Sequence, residues 1–287
     1  MTEEDYLNRI ESSIKEIESI NLNDNSAYVK ITKAFINIGL MPIILINYPS
    51  LSIIYRSRIN TGDETFNKIS QLSAPEEKYV LNYARANKPK QSLFYGSENR
   101  QTSYLEFLNH LSKVTPFEEK VSITIGEWKV LKNLNLALVF SPSAIRDNFY
   151  NKLHGYGFDN FMSTTSKELR KGVIKFFDFI GKEYSKSVNE NFNNYLITCA
   201  YSNILFAYEN CDGIIYPSVA YGGNGYNIVL KKDIIEAKLI KLQAVQVDRF
   251  LAVKQNNGLH EFINIASKYS NKIVDDKIIW KKDWQYW

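Results

Sequence analysis

Residues 85–107 read RANKPKQSLFYGSENRQTSYLEF, and the change of texture within them decides the fold. SLFYGS (92–97) is a short strand that Gly96 stops. TSYLEFLNHL (102–111) is a helix, with Thr102 as its N-cap and Leu105, Leu108 and Leu111, with Tyr104, on its apolar side. The strand delivers Tyr95 to its end, the chain turns, and the helix presents Glu106. A strand end holds an aromatic rigidly at a pocket mouth, and a glutamate on the facing helix reaches the same place. Taken singly, Tyr95 reads as core and Glu106 as a solvated helix residue. Leu105 and Leu108 beside Glu106 keep its face from being plainly polar.

Outward from this stretch the same alternation of strands and helices continues. Upstream, SLSIIYRSR (50–58) is a strand, and two helices precede it. Residues 3–20 place Tyr6, Ile10, Ile14, Ile17 and Ile20 on one stripe. A second helix puts Tyr28, Ile31, Phe35 and Ile38 on one face and ends at Gly39 and Pro42. Downstream, VSITI (121–125) and LNLALVF (134–140) are strand-like. TTSKELRKGVIKFFDFIGKEY (164–184) opens with a capping box, Thr165 and Glu168, and runs on as a helix. Another helix covers 192–208. GIIYPS (213–218) and YNIVL (226–230) are strands joined by a hairpin-type turn through Gly222-Gly223-Asn224-Gly225. The tail mixes a strand-like run, AKLIKLQAVQV (237–247), with a short helix near 259–268. The expected fold is α+β: a core of mixed and antiparallel strands, flanking helices and an N-terminal helical cap. Its parts are a helical extension over 1–49, a central domain over 50–235 with a helical insertion about 145–190, and an extension over 236–287 packed on the same domain.

Composition narrows the function. The chain has 287 residues, enough for a sizeable core without staples. Lys+Arg 35 against Asp+Glu 31 leaves +4, spread along the chain with no dense basic stripe, which speaks against direct nucleic-acid binding. Cys199 and Cys211 match no zinc spacing, and His110, His154 and His260 form no ligand pattern, so no metal is expected. The N-terminus is acidic and polar, unlike a signal peptide. The uncharged stretch from Ala34 to Tyr55 is broken by Asn37, Gly39, Pro42, Asn47 and Pro49, and reads as two buried elements rather than a membrane span. A cytoplasmic location is the default that follows.

Two further segments carry chemistry. If Ile54 and Arg56 share a strand face, an arginine points where an apolar side chain should. Either a carboxylate pairs with it, or it holds a phosphate or pyrophosphate through its planar fork. Ser218 follows Pro217 at the end of a buried strand. No G-x-S-x-G elbow surrounds it and no histidine is placed to activate it, so it suits hydrogen bonding better than nucleophilic attack.

Together these segments resemble the RES domain, a bacterial family named for an arginine, a glutamate and a serine. The match runs through Tyr-Arg-Ser-Arg (55–58), Ala-Arg-Ala-Asn (84–87), Ser-Leu-Phe-Tyr-Gly-Ser (92–97), Thr-Ser-Tyr-Leu-Glu (102–106) and Ile-Ile-Tyr-Pro-Ser (214–218), over roughly residues 50–235. Where the family often has a glycine, this chain has Lys88-Pro89-Lys90. The resemblance implies an ADP-ribosyltransferase-like fold, NAD+ as substrate with no cofactor, and a toxin held in check by an antitoxin of the helix-turn-helix type. It maps the catalytic positions to Glu106, Arg56, Tyr95 and Ser218. Arg58 is a second candidate for the arginine, and Arg85 and Asn87 fill a further substrate-binding position.

Those residue types suit cleavage of the nicotinamide–ribose bond. The bond breaks through an oxocarbenium-like state, and nicotinamide leaves neutral, so no general acid is needed. Glu106 would stabilise the growing positive charge, Arg56 would clamp the pyrophosphate, Tyr95 would stack on the nicotinamide and Ser218 would orient the substrate. The acceptor is water or phosphate. The alternatives are a transferase that places ADP-ribose on a macromolecule and a non-catalytic binding or scaffold domain. The terminal extensions are candidates for inhibitor binding or for self-association into a homo-oligomer.

Overall fold

The computed structural model describes residues 2–60, 62, 64–111, 120–144, 148–187, 191–254 and 260–286. Along the chain the elements are α1 (Glu3–Ser19), α2 (Ala27–Asn37), β1 (Leu45–Tyr48), β2 (Ile53–Ile59), β3 (Leu93–Ser97), α3 (Arg100–Leu111), β4 (Lys120–Val130), β5 (Leu134–Leu138), α4 (Phe149–Thr164), α5 (Arg170–Ser185), α6 (Leu196–Phe206), β6 (Gly213–Pro217), β7 (Tyr226–Lys231), α7 (Lys232–Glu236), β8 (Ile240–Lys254), β9 (His260–Ser270), β10 (Ile273–Val274), β11 (Lys277–Ile278) and β12 (Gln285–Tyr286). They gather into two compact units that interleave in sequence: residues 1–48, 76–93 and 134–231 form the first, and residues 49–75, 94–133 and 232–287 the second. The class is α+β, with sheet strands flanked by helices, and is consistent with an ADP-ribosyltransferase-like core.

The first unit sets helices against a mixed run of strands, β1-β5-β6-β7. β1 and β5 are antiparallel, β5 and β6 parallel, β6 and β7 antiparallel. The parallel pair needs a crossover, and α4, α5 and α6 supply it. Helix α1 starts in a capping box: Thr2 Oγ1 accepts from the Asp5 amide at 3.1 Å, and Asp5 Oδ2 accepts from the Thr2 amide at 3.1 Å. Its stripe of Tyr6, Ile10, Ile14 and Ile17 is buried and packs on α5, where a methyl group at Gly172 would lie 2.6 Å from the Tyr6 ring. Phe35 of α2 meets Phe176 and Phe179 of α5 and Tyr201 of α6 with ring centroids 5.8–6.4 Å apart. The expected N-terminal cap and the helices of the 145–190 insertion are thus one packed layer. Residues 145–147 and 188–190 of that insertion lie outside the described residues.

The second unit is antiparallel throughout: β3-β2-β4-β8-β9-β12, with α3 laid on it and β10–β11 as a separate small hairpin. β2 pairs with β4 over its whole length, from Ile53 opposite Lys129 to Ile59 opposite Ile123.

Three local expectations are corrected. The helix near 259–268 is strand β9, because β8 offers it a ladder from Val245 to Lys254. The N-cap of α3 is Asn99, whose Oδ1 accepts from the Thr102 amide at 2.7 Å; Thr102 lies buried inside the first turn. Thr165 caps no helix start: α4 ends there, and its hydroxyl donates back to the Phe161 carbonyl at 2.8 Å. Among the described residues no helix is long and apolar enough to cross a membrane.

Candidate active site

Tyr95 and Glu106 come from one strand–turn–helix piece of the second unit. β3 and α3 are joined by Glu98 and Asn99. Glu98 Oε1 accepts from Asn99 Nδ2 at 2.6 Å and from the Thr102 hydroxyl at 2.9 Å, which ties the turn to the first helical residues. Tyr55 pairs with Ser97, so by the alternation of the pleat Tyr55, Ser57, Ser97 and Tyr95 share a face. Helix α3 covers that face, since the Ser103 and Ser57 hydroxyls are hydrogen-bonded at 2.7 Å. Tyr95 and Glu106 are therefore on the same side of the strands, both half-buried.

Arg56 and Arg58 lie on the opposite face, with Ile54. The partners of Arg56 within the chain are main-chain carbonyls and an aromatic ring. Its Nη1 donates to the Tyr95 carbonyl at 2.6 Å and its Nε to the Ser73 carbonyl at 3.2 Å, and the guanidinium sits 5.2 Å from the Phe94 ring centre. Among the described residues no carboxylate pairs with it. Burial, then the charge of Arg58, brings its pKa down to about 10, against the opposing pull of Tyr95; it stays cationic at neutral pH. Its partner on β4 is Gly126, where a methyl group would lie 2.9 Å from the Leu242 and Trp128 side chains. Arg58 donates to the Gln71 carbonyl and lies 5.6 Å from the Phe66 ring centre, and burial lowers its pKa too.

Ser218, Arg85 and Asn87 belong to the first unit. Ser218 is 0% exposed and opens the β6–β7 loop. Its amide donates to the Gly225 carbonyl at 2.8 Å, its carbonyl accepts from the Gly223 amide at 2.9 Å, and its Oγ accepts from the Tyr221 amide at 3.2 Å. Gly222 and Gly223 take φ of 59° and 77°, the left-handed conformation the closed loop requires. Ser218 also lines a cavity of about 230 Å³ within this unit, together with Ser141, Asn148, Tyr150, Asn151 and Ser185. Among the described residues no charged side chain lines it. Asp178 fixes one wall by accepting from the Ser141 hydroxyl at 3.0 Å and the Ser143 amide at 2.8 Å.

Arg85 and Asn87 do not line that cavity. Asn87 Nδ2 donates to the carbonyls of Asn82 at 3.3 Å and Lys88 at 3.1 Å, bracing its own loop. Arg85 Nη2 donates to the Lys186 carbonyl at 2.9 Å, its guanidinium is 5.4 Å from the Tyr195 ring centre, and its Nη1 is buried with no partner among the described residues. Both cysteines are free and buried, and burial pushes Cys199 up to about 12, so it is no thiolate nucleophile. Among the described residues no group of three or more His, Cys, Asp or Glu is placed to hold a metal ion.

Sequence reasoning passed over the polar groups that hold α3: Arg100, Tyr104, Glu127, Gln246 and Asp248. The signal was present. Asp248 stands among Val245, Val247 and Phe250 in a strand otherwise fit for a core. A carboxylate there needs donors.

No protein-family model matches the chain, and no curated protein matches it. Among solved structures, the chain is similar to one in the crystal structure of the M. tuberculosis MbcT–MbcA toxin–antitoxin complex. Identity is 12% and the TM-score 0.38, over 78% of this chain and 92% of that one.

Proposed function

We propose that this protein cleaves NAD+ at the nicotinamide–ribose bond and acts as the toxin of a toxin–antitoxin pair. The observation that carries the reading is the β3–α3 piece, which sets an aromatic ring and a carboxylate on the same side of the strands, in the order and spacing of the RES motif. Glu106 stabilises the oxocarbenium-like charge on the ribose, and Tyr95 stacks on the cationic nicotinamide. Arg56 clamps the pyrophosphate, and its bond to the Tyr95 carbonyl also braces the strand end that carries the stacking ring. Ser218, Arg85, Asn87 and Arg58 fill the remaining motif positions, and single substitutions test their share in NAD+ affinity. The assigned partner is an inhibitory protein with a helix-turn-helix domain.

Purified protein mixed with NAD+ should release nicotinamide. Running the reaction with and without inorganic phosphate identifies the acceptor. With NAD+ labelled in the adenylate moiety, label left on protein or nucleic acid would instead make it a transferase. No release under any of these conditions would contradict the reading.

A further inference from the structure

Helix α3 is fixed by a closed ring of polar contacts to β8, which lies in the C-terminal part of the chain beyond the RES-like motifs. Arg100 Nη1 donates to Gln246 Oε1 at 2.6 Å. Gln246 Nε2 donates to both oxygens of Asp248, at 2.8 and 2.9 Å. The Tyr104 hydroxyl donates to Asp248 Oδ2 and closes the ring on the helix. The Ser267 hydroxyl, from β9, donates to Asp248 Oδ1. Asp248 is 1% exposed, so these donors are what makes its carboxylate tolerable in the core. Arg100 also pairs with Glu127 of β4. Burial, reinforced by the Asp248 charge, raises the Tyr104 pKa well above its usual value, so the phenol remains a donor at any physiological pH.

Arg100 and Tyr104 stand four residues apart, one above the other on the helix. Gln246 and Asp248 stand two apart on one face of the strand. Joining such pairs fixes both the height of α3 along β8 and its rotation about its own axis. A shift by one residue would turn the helix by about 100° and carry Glu106 with it. The apolar contacts of Tyr104, Phe107 and Leu108 with Val121, Ile123 and Phe250 favour burial, but they are compatible with more than one rotation. The polar ring selects one.

We propose that Asp248 is a positioning residue: through Tyr104 it sets the rotation of α3 and hence the direction of the Glu106 carboxylate. The proposal rests on the reading of Glu106 as the catalytic carboxylate. It gives the C-terminal extension a part in the reaction although it carries none of the motif residues.

The test uses the full chain with Asp248→Asn and Tyr104→Phe, singly and together. With wild-type protein releasing nicotinamide, each variant should lose about 10- to 100-fold in kcat while KM for NAD+ stays within a few-fold. The double variant should be no slower than the worse single, because both break the same link. Assays run well below each variant's unfolding midpoint, so that a plain loss of stability leaves kcat unmoved. Unchanged kcat in folded Asp248→Asn would overturn the proposal, and so would strictly multiplicative losses in the double variant. If wild-type protein releases no nicotinamide, the proposed function fails. Amide hydrogen exchange over residues 102–108 then decides the anchoring by itself: faster exchange in Asp248→Asn supports it and unchanged exchange overturns it.

Discussion

Arg56 is a cation that shares a strand face with Ile54. Its partners, though, are the carbonyls of Tyr95 and Ser73 and the ring of Phe94, which only the folded chain brings near. Lysine has no planar fork to serve two carbonyls at once. Arg56→Lys should therefore lower stability by about 1–3 kcal/mol, read as a shift in the urea midpoint; an unshifted midpoint would show that the two bonds carry no weight. His154 gives a prediction of a different kind. It lies between the Tyr150 and Tyr226 rings, at 4.6 and 5.2 Å, with Nε2 buried and unpartnered among the described residues. Burial lowers its pKa from 6.5 to about 4. Between those values the unfolded chain binds the proton and the folded chain does not, so stability is full above pH 6.5 and declines toward pH 4. His154→Phe should flatten that part of the stability profile, and a profile of unchanged slope would count against a neutral imidazole with its Nε2 buried. Nothing in the sequence marked His154 as half-buried, because the Tyr226 ring that meets it comes from β7.

At the scale of elements, most strands and helices were legible because their apolar periods are clean. The misreading of β9 has a local cause. The register with β8 shifts between Arg249 and Phe250, opposite Ala266 and Asn264, so Ile265 is an extra residue in the ladder. A bulge breaks the two-residue alternation, and the broken pattern resembles a helical one. The strand–turn–helix from Tyr95 to Glu106 was legible for the opposite reason: a glycine and a clean helical repeat follow closely, even though the cap is Asn99 and not Thr102. Close packing is a property that no local pattern reveals. A methyl group on Gly213 of β6 would lie 2.2 Å from the Val229 carbonyl oxygen of β7. Gly213→Ala should cost about 1–3 kcal/mol by forcing the two strands apart. Gly157, inside α4, would place its methyl no nearer than 3.5 Å to Ile46, so Gly157→Ala should be neutral or stabilising by up to about 1 kcal/mol. Thermal unfolding of the two variants side by side checks the contrast; similar midpoints would contradict it.

For the molecule as a whole, the sequence conveyed the class better than the organisation. Helical cap, mixed strands and antiparallel strands were each visible, whereas the interleaving of two compact units depends on contacts between residues far apart in the chain. The candidate site was nameable only where motif order added to local pattern: Glu106 or Ser218 alone would have passed as ordinary. If the proposed function holds, producing the protein in a bacterial cell should lower cellular NAD+ and stop growth, and Glu106→Gln should do neither. Growth arrest with NAD+ unchanged would point to another target. The most direct measurement is nicotinamide release at saturating NAD+ by wild-type protein and by Glu106→Gln, which keeps the side chain's shape and removes its charge. A fall of about 100-fold or more in kcat with NAD+ still bound is expected; equal rates would rule out Glu106 as the catalytic carboxylate.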